Sequence, residues 1–264
     1  GDSSSDFAGG ITIADGGGSK DGGILVAGHN NALGTGTTTI EHGKLSVGAG
    51  VTVTNTIRGQ QSTNEADKKS VLGGGIIGAA GIIDNGSGTQ VNIGSGAGQI
   101  DVLSPGIAHA SSMSNGTSDG QVVAGNHNNA GADTLNLSIG TIQIDKIGLK
   151  NGGVFDWEIT DFTGNNSDGS DWDVLKFDTL DFSESDSFDI NIYSLASNGS
   201  AGAVSVDASN HLYSTKSGSS GFLFMQHSGT SSGWNNAPGS ARAVNGFNIN
   251  SDNWAVANDF YYGD

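Results

Sequence analysis

The chain has 264 residues with 45 glycines, 34% hydrophobic residues and a formal charge of −17, from 27 acidic and 10 basic side chains. That balance excludes the basic patch by which proteins engage nucleic acid or anionic lipid. The absence of cysteine excludes disulfides, iron–sulfur clusters, thiolate zinc sites and thiol catalysis.

In chain order, residues 1–20 form an N-terminal segment. Gly1 followed by Asp2, Ser3, Ser4 and Ser5 reads as a mature end left by removal of a signal. Within "DFAGGITIADGG" the residues Phe7, Ile11 and Ile13 are the candidate contacts with another subunit. Residues 21–150 are glycine-rich and carry short apolar alternations bounded by Gly, Asn or Asp. They include "GGILVAG" (22–28), "GTTTIEH" (36–42), "KLSVGAG" (44–50), "VTVTNTI" (51–57), "GGIIGAAGIID" (74–84), "TQVNIGSG" (89–96), "GQVVAG" (120–125), "DTLNLSIG" (133–140) and "TIQIDKIGL" (141–149). Period-two alternation in short runs is the mark of strands, and no segment shows the 3.6-residue period of a helix with its caps. No apolar run approaches the roughly 18 residues that cross a membrane as a helix.

The gaps between runs are one or two residues in "TTTIEHGKLSVGAGVTVTN", which suits the corners of a solenoid better than open hairpins. A coil of about 20 residues, stacked at about 4.8 Å per layer, would place Val, Ile and Leu inside and Gly and Asn at its bends. Residues 151–264 differ in texture. Aromatics gather in "GGVFDWEITDF", "WDVLKFDTLDF" and "SFDINIYSL", and again around Trp254, Phe260 and Tyr261. This section continues or caps the solenoid, with a separate β-sandwich as the alternative. The expected fold is all-β, a right-handed parallel β-helix.

The stretch "HNNALGTGTTTIEHGKLSVGAGVTV" resembles the autotransporter-associated β-strand repeat. "LKNGGVFDWEITDFTGNNSDGSDWDVLKFDTLDF" is similar to the C-terminal region of the large Gram-negative surface proteins that carry it, many of which end in a Pro-Glu-Pro sorting tail. Together the two matches cover most of residues 22 to 262. The resemblance implies a β-helix secreted to, displayed on or released from the bacterial surface. The chain departs from that family by ending at "NDFYYGD", without the sorting tail or an outer-membrane barrel, and removal of the tail on maturation is the expectation.

Chemistry is sparse. The loop "TDFTGNNSDGSDWD" (160–173) supplies Asp161, Asn165, Asp168, Asp171 and Asp173 around Gly169, oxygen donors that would suit calcium. It lacks the glutamate that closes an EF-hand loop and the nonapeptide repeat of calcium β-rolls, and a solvated turn between strands explains the same residues. Polysaccharide-cleaving β-helices use Asp/Glu pairs as acid and base; Asp156 with Glu158, and Asp171 with Asp173, stand two apart on one strand face, a geometry that alone is unselective. Neither Arg58 nor Arg242 lies near them in sequence to hold an anionic sugar. His42 beside Glu41 reads as a surface residue, and no serine sits in a G-x-S-x-G elbow.

The expectation is therefore a non-enzymatic structural protein of the bacterial surface or extracellular matrix, without a cofactor unless calcium binds. It would self-assemble head to tail through Phe7, Ile11 and Ile13 at one end and Trp254, Phe260 and Tyr261 at the other. The alternative is a monomeric adhesin that stacks carbohydrate on Trp172, Trp234 and Tyr213. A polysaccharide-active enzyme stands third.

Overall fold

The computed structural model describes residues 8–14, 23–60, 70–76, 79–86, 88–106, 139–159, 172–182, 187–194, 225–232 and 247–250. Among them every regular element is a β-strand, there is no helix, and none is therefore long and apolar enough to cross a membrane. Strands are numbered in chain order.

Val, Ile, Leu and Thr dominate the strands, as expected where branched side chains pack on a pleated surface. Three parallel sheets collect them. The first orders β1 (Ile11–Ile13), β3 (Thr38–Ile40) and β6 (Ile57–Gly59). The second has seven strands. From its N-terminal end they are β2 (Gly23–Ala27), β4 (Gly43–Val47), β7 (Ser70–Gly74), β10 (Val102–Leu103), β12 (Val154–Ile159), β14 (Phe188–Ser194) and β16 (Phe247–Asn250). The third runs β5 (Thr52–Val53), β8 (Gly81–Ile83), β11 (Thr141–Leu149), β13 (Val174–Asp181) and β15 (Met225–Ser232) in one path. Beside it β9 (Val91–Ile93) pairs with the far end of β11, where Ile147 faces Val91 and Leu149 faces Ile93.

The chain visits these sheets in rotation. From β4 to β8 it passes through the second, third, first, second and third sheets in turn. From β10 to β16 it alternates between the second sheet and the third.

One unshifted column runs the width of the seven-stranded sheet: Leu25, Leu45, Leu72, Leu103, Phe155, Ile190 and Ile249 are successive register partners. A one-residue slip at any step would turn a large apolar side chain to the opposite face, so the column fixes the register. Leu45, Leu72, Leu103 and Phe155 are fully buried, each contributing about 1.5–3 kcal/mol by leaving water. Aromatics of the C-terminal half, including Trp157, Trp172, Phe177 and Phe188, join the same cluster as the leucines.

Corners are tied by asparagine. Nδ2 of Asn55 donates to the carbonyls of Leu33, Gly34 and Gly36 at 3.2, 2.8 and 2.9 Å. Asn85 donates to Thr89 and Lys146 carbonyls and accepts the Lys146 amide at 2.8 Å. Such side chains satisfy backbone groups that a bend leaves unpaired.

Three expectations change. The run 74–84 divides, because Gly74 and Gly75 take φ of 147° and 74° and turn the chain between β7 and β8. His42 is buried at 4% exposure, since β4 begins at the next residue and both faces of its sheet are covered. Trp172 is fully buried in the core, so it offers no face for stacking sugar; Trp234 and Tyr213 lie outside the described residues.

Candidate functional site: a buried lysine among carboxylates

Alternation places Leu45 and Val47 of β4 toward the main core and Lys44 and Ser46 on the opposite face. That second face is covered as well: Lys44 is 4% exposed and Ser46 fully buried. Lys44 lies in the register column Ile24–Lys44–Val71–Val102–Val154, and the three valines form a small apolar cluster of their own. Parallel sheets are commonly buried on both faces, which explains why β4 and β7 show no burial alternation.

The lysine passes over Gly73. A Cβ there would stand 2.6 Å from Lys44 Cε, 2.9 Å from Nζ and 2.1 Å from the Ser104 carbonyl oxygen. Glycine leaves the channel open, and Nζ reaches the Ser104 Oγ at 3.5 Å. Beyond Ser104 the same face carries Asp156 and Glu158 of β12, each 1% exposed. Asp156 Oδ1 accepts from Asn191 Nδ2 on β14 at 2.8 Å, and the Tyr193 hydroxyl lies against Asp156. Oε2 of Glu158 has no partner among the described residues.

Asp173 completes the group. Fully buried just before β13, it accepts the Gly140 amide on Oδ1 at 2.9 Å and the Glu158 amide on Oδ2 at 3.0 Å. Its carbonyl oxygen accepts Trp157 Nε1–H at 2.9 Å. One aspartate thus joins the entry of β11, strand β12 and the entry of β13.

Burial pushes the Asp156 carboxyl up to about 7 and Glu158 up to about 8, with Lys44 opposing both shifts. Asp173 is held well above the usual carboxylate range by burial and by Glu158, against its two backbone hydrogen bonds. Burial lowers Lys44, opposed by Glu158, Asp173 and Asp156 in that order. The Tyr193 phenol rises through burial and then through the nearby carboxylates. In so dry a setting three carboxylates cannot all ionise against one ammonium. Burial therefore favours the protonated form of these carboxyls over the ionised one.

Of the calcium candidates, Asp173 engages both carboxylate oxygens with backbone amides, while Asp161, Asn165, Asp168 and Asp171 lie outside the described residues. Among the described residues no group of three or more His, Cys, Asp or Glu side chains is placed to hold a metal ion. Ile13 is buried in the core and Ile11 packs beside it, whereas Phe7, Trp254, Phe260 and Tyr261 lie outside the described residues. Asp156 and Glu158 do share one face. Their cationic neighbour, Lys44, comes from far earlier in the chain and was not legible from local spacing.

Comparison of the chain with protein-family models, with curated proteins and with solved structures finds no match.

Proposed function

We propose that the protein is a non-enzymatic structural component of a bacterial surface or extracellular matrix. In this reading its parallel sheets are the faces of a right-handed β-helix, and copies join head to tail into a filament. The observation that carries it is the seven-stranded sheet. Its outermost strands, β2 and β16, come from opposite ends of the described chain, and each pairs on one side only among the described residues. A parallel strand with a free edge is a template for another strand of the same polarity, and a heterologous contact of this kind extends without closing. The rotation of the chain through the sheets supports the solenoid, and the high glycine content suits its tight corners.

Sedimentation and negative-stain electron microscopy of the folded protein test the reading. Filaments or a concentration-dependent ladder of oligomers are expected. A single monomeric species across the accessible concentration range overturns it.

A further inference from the structure

The two ends of the fold do not present the same sheets. At the N-terminal end, β1 and β2 begin the three-stranded and seven-stranded sheets, and the sheet of β5 has not yet started. At the C-terminal end, β15 and β16 finish the sheet of β11–β13–β15 and the seven-stranded sheet, while the three-stranded sheet has ended. Among the described residues only the seven-stranded sheet reaches both ends. Among the described strands, that sheet is therefore the one whose hydrogen-bonding a second copy can continue from end to end.

We propose that the occupant of the β16 edge is the β2 edge of a second copy of this chain, added parallel and in the register of the sheet itself. Ile249 then faces Leu25 of the next copy, and Asn250 faces Val26. This inference rests on the head-to-tail reading and adds to it the strand, the polarity and the register. Three observations support it. The column from Leu25 to Ile249 passes through six pairings with no shift, so one more copy prolongs it by a step of the same kind. Every ladder joining two strands is parallel, including those nearest both ends, so the added strand meets an edge of matching polarity. Val26 is 44% exposed, one of two large hydrophobics so exposed among the described residues, and it sits on the strand that the next copy would cover. Slippage by one residue would break the register that sets Ile249 opposite Leu25.

The chain has no cysteine, so an introduced pair reports without background. Adjacent strands bring register partners to about 4.8 Å, within the Cα separation that a disulfide spans. The experiment oxidises the Val26→Cys/Asn250→Cys variant of the full chain and reads covalent ladders on denaturing gels. A shifted pair, Val26→Cys/Asn248→Cys, and each single variant run beside it, with electron microscopy of every sample. Ladders of three or more copies from the in-register pair, at least several-fold above the shifted pair, are expected. Ile24→Cys/Asn248→Cys supplies a second in-register reporter should the first pair disturb folding. Filaments that form without in-register ladders overturn this inference and leave the head-to-tail reading standing. No filament and no ladder from any folded variant or the unmodified chain overturns both.

Discussion

Lys44 reaches Ser104 across Gly73, and the missing Cβ at Gly73 is what lets it through. The side chain on β4 thereby spans the position of β7 to touch the end of β10. A methyl group at Gly73 would meet not only the flexible lysine tip but the Ser104 carbonyl at 2.1 Å, and backbone cannot swing aside. Gly73→Ala is expected to destabilise the fold by about 1–3 kcal/mol, the range of overpacked cores. Gly28→Ala, where a Cβ meets nothing within 4 Å, is expected to stay within about 0.5 kcal/mol. Urea unfolding of the two variants checks the difference, and equal midpoints would refute the steric account.

The acid cluster makes stability depend on pH. Asp156 and Glu158 have folded-state values of about 7 and about 8, above their ordinary 3.8 and 4.5. The unfolded chain releases these protons near pH 4, whereas the folded chain keeps them until near neutrality. Between those limits the folded state binds more protons, so stability falls as pH rises from about 4 to about 8. A tenfold difference in proton affinity between the two states is worth roughly 1.4 kcal/mol, so the total loss is on the order of several kcal/mol. Lys44, lowered by burial, acts in the opposite sense, its contribution to stability rising with pH. Glu158→Gln is expected to flatten the slope between pH 5 and 8 in chemical denaturation, and an unchanged slope would remove Glu158 as its source.

Replacing the lysine should change sign with pH. At pH 5 the neighbouring carboxyls are largely protonated, and little negative charge answers the buried Lys44. Lys44→Met then removes a desolvation cost and is expected to be neutral or stabilising. At pH 8 a carboxylate is ionised nearby, and losing its counter-charge is expected to cost about 3–5 kcal/mol. Thermal melts at the two pH values decide this; a penalty of the same size at both would mean that the lysine acts through packing alone.

The strands were legible because alternation and glycine punctuation are local signals. The run 141–149 coincides with β11, and the shared face of Asp156 and Glu158 follows from spacing two apart. Burial of the second sheet face was not legible. Lys44 alternates with leucine and valine and so reads as a solvent-facing residue, and only the stacking of Val71, Val102 and Val154 beside it shows otherwise. Asp173 was legible only in part. It sits at the end of an acidic, glycine-containing loop whose composition suggests a cation site, and its hydrogen bonds to the amides of Gly140 and Glu158 arise from strand pairing that spacing does not show. Local composition signals where oxygen donors are, and the topology decides what they bind.

Asp173 gives the sharpest test of that distinction. If its work is to accept two buried amides, Asp173→Ala should leave the N–H groups of Gly140 and Glu158 without acceptors and cost about 2–4 kcal/mol. Asp173→Asn keeps the shape and one acceptor oxygen but turns an N–H toward the second amide, so it should cost more than half as much as the alanine variant. Hydrogen exchange read by NMR should show the Gly140 and Glu158 amides losing at least tenfold in protection in Asp173→Ala, with amides at the β2–β4 pairing changing only with global stability. Calcium added to the unmodified protein should leave those two amides unaffected. A calcium-dependent change in their protection would return Asp173 to the role of a metal ligand and undo the account given for it.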